Sequence, residues 1–108
     1  MSSERVMSDF VKVCEVGEVP VGSMHPVEAG GKKLMVVNVE GALYAVDRIC
    51  THEDADLSTG FLVGQVVTCP LHLSRFDVKT GKVDNPPATD PLPTYRLKVG
   101  GTSVYVEM

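Results

Sequence analysis

Cys50-Thr51-His52 and Cys69-Pro70-Leu71-His72 bracket the stretch CTHEDADLSTGFLVGQVVTCPLH, residues 50–72, and the rest of the chain is read outward from it. Sixteen residues, Glu53 to Thr68, separate the two pairs. Each pair offers one thiolate and one imidazole. Thiolates favour zinc or iron–sulfur iron, and imidazole suits several metals. Each pair also follows an alternating run, Ala42–Val46 before the first and Gln65–Thr68 before the second, so each should sit in a loop at the end of a strand.

Outward from the pairs, short alternating segments recur between glycine and proline signals. Phe10–Val16 reads as a first strand and Gly17–Gly22 as a loop. Ser23–Glu28 reads as an edge strand because of Pro26. Lys33–Val39 and Ala42–Val46 form a hairpin about Glu40-Gly41. Asp47–Thr59 is polar and acidic and is expected to be loop, and Gly60–Gly64 is a glycine-bounded segment. Arg75–Val78 returns from the second pair to form a small hairpin with Gln65–Thr68, and Lys79–Lys82 is a turn. Asn85–Pro93 is a stiff proline-rich connection. Thr94–Val99 and Thr102–Glu107 make the last hairpin. No segment has a sustained helical period. The expectation is an all-β antiparallel sandwich or small barrel forming one domain over residues 1–108. Residues 1–9 would be a tail and residues 47–88 the metal-binding region.

Composition narrows the function. Fourteen acidic residues against ten basic ones leave a net charge of −4, which does not suit a phosphate backbone. Apolar runs are too short to span a membrane, and residues 1–5 carry no apolar signal core. The expected location is cytoplasmic, with neither nucleic acid nor membrane as a partner. Three cysteines without an export signal argue against a disulfide framework. Cys14 reads as a small buried side chain, and His25 as a surface residue. Two solutions remain open for the mixed pairs. One is a Cys2His2 zinc site. The other is a [2Fe–2S] cluster with two cysteines on one iron and two histidines on the other, which two loops of the same Cys-then-His order meet naturally.

Cys50-Thr51-His52 and Cys69-Pro70-Leu71-His72, followed by Ser74-Arg75-Phe76-Asp77-Val78 and Thr80-Gly81-Lys82, resemble the Rieske ferredoxins from about Phe10 to Glu107. The style is that of the soluble ferredoxins of bacterial ring-hydroxylating dioxygenase systems, with archaeal Rieske-type ferredoxins and the small subunit of assimilatory nitrite reductase also similar. The resemblance implies one [2Fe–2S] cluster per chain, with Cys50 and Cys69 on the inner iron and His52 and His72 on the outer. It implies a one-electron carrier between a reductase and a terminal oxygenase or similar acceptor, and not an enzyme in its own right. A fixed subunit of a larger oxidoreductase and a zinc-stabilised binding module are the alternatives. Pro86-Pro87 resembles the proline loop that covers the cluster. Respiratory Rieske proteins carry an extra cysteine in each loop, where this chain has Ala55 and Leu71. They also have a Ser and a Tyr that donate hydrogen bonds to sulfur, where it has Ser74 and Phe76. Leu73 stands where many relatives have Gly. Hydrogen bonds to sulfur raise the potential, so the implied value is at the low end of the Rieske range, on the order of −150 mV. Glu53, Asp54 and Asp56 read as a solvated Asx-type loop that doubles as an acidic docking rim.

Overall fold

The computed structural model describes residues 10–51, 55–71, 74–85 and 90–108. The expected all-β architecture is present as three antiparallel sheets. The central one orders β2 (Met24–Ala29), β3 (Lys32–Val39), β4 (Ala42–Asp47) and β9 (Thr94–Tyr95) side by side. A second joins β1 (Phe10–Glu15) to β11 (Ser103–Glu107) and β11 to β10 (Leu97–Gly100). The third is a meander of β5 (Phe61–Val63), β6 (Val66–Thr68), β7 (Arg75–Asp77) and β8 (Val83–Asn85).

β3 organises the molecule because it is buried on both faces. Successive strand side chains point to opposite sides, and here each side meets its own core. Leu34 and Val36 join Cys14, Val27, Ala29, Ala45, Val104 and Val106. Met35, Val37 and Val39 join Val46, Leu57, Val67, Phe76, Val78, Leu92, Cys50 and Cys69. The sheet of β1, β10 and β11 therefore covers one face of the central sheet, and the β5–β8 meander covers the other. β11 shows the alternation plainly, with Val104 and Val106 buried between partly exposed neighbours.

Several boundaries differ from expectation, among them β8, where Asn85 was expected to open the proline-rich connection, and two have a visible cause. Thr94–Val99 is not one strand: Thr94 and Tyr95 pair with β4, whereas Leu97 onward pairs with β11. Two long-range groups of bonds divide it. The Tyr95 hydroxyl donates to Asp47 Oδ1 at 2.6 Å and the Asp47 N–H to Pro93 O at 2.9 Å, while the Glu107 N–H bonds to Arg96 O at 2.8 Å. The strand read as Ser23–Glu28 runs Met24–Ala29, since the Ser23 N–H and hydroxyl both turn back to Pro20 O. Short 3-10 turns occupy Val16–Glu18 and Leu57–Thr59.

Candidate metal centre

Both cysteines of the two pairs begin a tight hairpin loop, and the two loops close in the same way. The Cys50 N–H donates to Ala55 O at 2.9 Å, and the Cys69 N–H donates to Ser74 O at 2.7 Å. Each bond spans five residues and continues an antiparallel ladder. In the second loop that ladder is β6–β7, with Thr68 opposite Arg75. In the first it is an Ile49–Asp56 bridge, backed by the Leu57 N–H to Arg48 O at 2.7 Å. What composition marks as an acidic loop after Asp47 is thus closed at its base as a narrow hairpin by the Ile49–Asp56 bridge and the Cys50–Ala55 bond.

The loops lie against the central sheet through the cysteines themselves. Cys50 is 4% exposed and Cys69 is 1% exposed, in one core with Ala55, Leu57, Val67 and Phe76. None of the three cysteines of the chain forms a disulfide. Two buried thiols at the bases of two matching loops offer the two sulfur donors that a Cys2His2 centre would need, and an apolar surround keeps water from the sulfurs. His52 and His72, two and three positions on, lie outside the described residues, as do Leu73, Pro86, Pro87, Glu53 and Asp54. Ser74 and Phe76 are both fully buried. Ser74 supplies the carbonyl that closes the second loop, and Phe76 packs in the core that contains both cysteines.

The rest of the framework is local chemistry. Asp56 caps the 3-10 turn after the first loop, its Oδ1 accepting from the Ser58 N–H at 2.9 Å and from the Ser58 hydroxyl at 2.6 Å. Gly60 then lets the first loop touch the second: a Cβ there would run into Thr68 O and lie 3.2 Å from Pro70 Cδ. Thr51 Oγ1 donates to Asp90 O at 2.8 Å and ties the first loop to the segment before β9. Gly81, with φ of 80°, receives that segment from the other side, and the Leu92 N–H bonds to its carbonyl at 2.7 Å.

Arg48 is a mostly buried cation beside the first loop that the metal-ligand motif does not include. Its side chain is 13% exposed and lies 3.8 Å from both Glu28 and Asp56 carboxylates. Its Nε is buried with no hydrogen-bond partner among the described residues. It puts a fixed positive charge two residues before Cys50, where it offsets negative charge gathered in the loops. A lone Arg at the head of an acidic stretch was the available signal. At the exposed end, Leu71 is 62% exposed at the tip of the second loop, next to His72 in the sequence.

Residues 9–96 match the Rieske [2Fe-2S] domain. The chain is 41% identical over 99 residues to the biphenyl dioxygenase ferredoxin subunit of Pseudomonas sp. strain KKS102, covering 91% of each. It superposes with a TM-score of 0.87 on the Sphingomonas yanoikuyae B1 ferredoxin at 30% identity, covering 91% of this chain and 97% of that one. The same TM-score, at 36% identity and covering 92% and 93%, is found with a chain in the complex of reduced oxygenase and oxidized ferredoxin in carbazole 1,9a-dioxygenase. The paired loops, the buried thiols between them and the three-sheet frame together place this chain in the Rieske [2Fe-2S] domain family.

Proposed function

We propose that the chain is a one-electron carrier, a Rieske ferredoxin that takes electrons from a reductase and delivers them to a terminal oxygenase. The observation that carries this reading is the pair of buried, undisulfided cysteines at matching loop bases. Relatives named as dioxygenase ferredoxin components, and a solved oxygenase–ferredoxin complex, supply the partner class. When bound, the [2Fe–2S] cluster provides a one-electron couple. Cys50 and Cys69 would hold the inner iron, and His52 and His72 the outer one. Residues 47–88 form the cluster-binding region of a single domain. Among the described residues no helix is long and apolar enough to cross a membrane; we place the protein in the cytoplasm.

The chain's own residues account for the carrier character. The loop-closing N–H groups of Cys50 and Cys69 hold the two cysteine backbones in place, which favours little rearrangement on gaining or losing an electron. Burial in the apolar core shields the sulfurs. Exposed Leu71 offers an apolar contact at the tip of the second loop. Contact at one tip fits the small, transient interfaces of electron-transfer partners. Phe76 has no hydroxyl to donate, so the potential is expected near the low end of the Rieske range, on the order of −150 mV.

Electron paramagnetic resonance of the dithionite-reduced holoprotein, with iron and labile sulfide analysis, tests the assignment. One unpaired spin per chain is expected, lost in Cys50→Ser and in His72→Ala. An EPR-silent, colourless protein carrying zinc would overturn it.

A further inference from the structure

A second group of metal-type donors lies at the edge of the other core, with Cys14 buried, His25 half-buried and Glu18 exposed. Cys14 at the end of β1, Glu18 in the 3-10 turn that follows, and His25 at the start of β2 bring one sulfur, one carboxylate oxygen and one imidazole nitrogen within 4.8 Å of one another. Neither composition nor spacing suggests this, because each residue reads alone as filler or surface. The fold makes the group. The chain leaves β1, turns once through Val16–Glu18 and re-enters as β2. His25 shares its strand face with Val27 and Ala29, which pack in the same core as Cys14.

We propose that Cys14, Glu18 and His25 form a second metal site, distinct from the cluster loops, that takes a borderline divalent cation such as zinc. A thiolate, an imidazole and a carboxylate match zinc's ligand preferences, and three protein ligands leave a fourth position for water. Zinc–ligand bonds of about 2.0–2.3 Å in a tetrahedron put donor atoms roughly 3.3–3.7 Å apart. The group as it stands needs closure of only about an ångström to reach that. Glu18 is also held in place: its Oε1 accepts the Glu15 N–H at 2.9 Å. An ionised carboxylate accepts at about four lone-pair positions, so that bond leaves room for a cation.

The charges around the group leave Glu18 open to a cation. Glu15 is neutralised by Lys12, with Nζ 2.6 Å from Oε2, and further bonded by Thr102 and Ser103. Among the described residues no Lys or Arg pairs with Glu18. A divalent ion would cancel the carboxylate and the thiolate together and release the thiol proton.

The test uses the iron-loaded protein. Zinc is titrated calorimetrically, and iron and sulfide are assayed before and after; the cadmium form is then examined by 113Cd NMR. One equivalent of zinc should bind with the iron content unchanged, and the cadmium shift should report one sulfur with nitrogen and oxygen donors. His25→Gln, at a half-buried position that should not disturb the core, is expected to weaken zinc binding more than about tenfold. Glu18→Gln should weaken it severalfold, and Cys14→Ser should abolish it. Zinc uptake unchanged in His25→Gln, uptake matched by iron loss, or no uptake by the wild-type holoprotein would each overturn the proposal. Because iron and sulfide are assayed before and after, failure of the second site is separable from failure of the cluster assignment.

Discussion

Replacing Phe76 by Tyr puts one hydroxyl into a fully buried position in the core that contains both Cys50 and Cys69. Phe76 is opposite Val67 in the β6–β7 ladder, one pair beyond the Thr68–Arg75 pair that leads into the loop. If the new O–H reaches a sulfur, it strengthens as the cluster region gains negative charge. A hydrogen bond worth about 1–1.5 kcal/mol more in the reduced state shifts a one-electron potential by about 45–65 mV, taking 59 mV per tenfold. Unfolding free energy should then change little. If the hydroxyl finds no acceptor, burying it costs about 1–3 kcal/mol and the potential stays put. Protein-film voltammetry read beside denaturant unfolding of the same holoprotein separates the two. We expect a positive shift of tens of millivolts. A destabilised protein with an unmoved midpoint would refute the reasoning that the missing hydroxyl at Phe76 keeps the potential low.

Other outcomes follow from the framework. Gly60→Ala should cost about 1–3 kcal/mol by overpacking, since its Cβ meets backbone at Thr68 and not a movable side-chain end; iron retained after gel filtration should fall with it. Tyr95→Phe should remove the bond to Asp47 that splits the late strand, and in the wild type Tyr95 should stay protonated well above the usual tyrosine range, because burial and Asp47 disfavour the phenolate; ultraviolet titration of the variant against the wild type checks this. Glu15 is held down to about 2 by its bond to Lys12 and then by Thr102 and Ser103. A lowered carboxyl stabilises the fold above its ordinary pKa of 4.5 and loses that contribution as pH falls toward 2. The difference in denaturation midpoint between wild type and Glu15→Gln should therefore be present at pH 5 and shrink on acidification. A difference that grew would contradict the sign.

Much of the frame was legible from alternation alone. Lys33–Val39 and Ala42–Val46 read as a hairpin because their apolar residues and the Glu40-Gly41 turn agree, and β3 and β4 pair about that turn. The division of Thr94–Val99 was not legible. Its alternation is unbroken, and the pull of its first two residues into another sheet is made by Asp47, 48 residues before Tyr95. The 3-10 turn at Leu57–Thr59 hides in a stretch whose polarity says only loop, although Asp56 two residues before Ser58 is an Asx-turn signal. At the metal centre, the cysteine spacing was visible at once. What it could not show is that both N–H groups close five-residue spans, or that Gly60 lets the loops meet. The grouping of Cys14, Glu18 and His25 was not legible either, because no local pattern relates a strand end, a turn and the next strand.

The parity of β3 has a consequence for how this chain can vary. Even-numbered Leu34 and Val36 serve one core, and odd-numbered Met35, Val37 and Val39 the other. Because side chains alternate with a period of two, a single-residue insertion in this strand would exchange the two sets wholesale, whereas a two-residue insertion would return each to its own side. Length changes here are tolerable only in even steps, while substitutions on one side leave the opposite core untouched. The electron-carrying face and the Cys14 face can thus drift in sequence independently, with one strand as the partition between them.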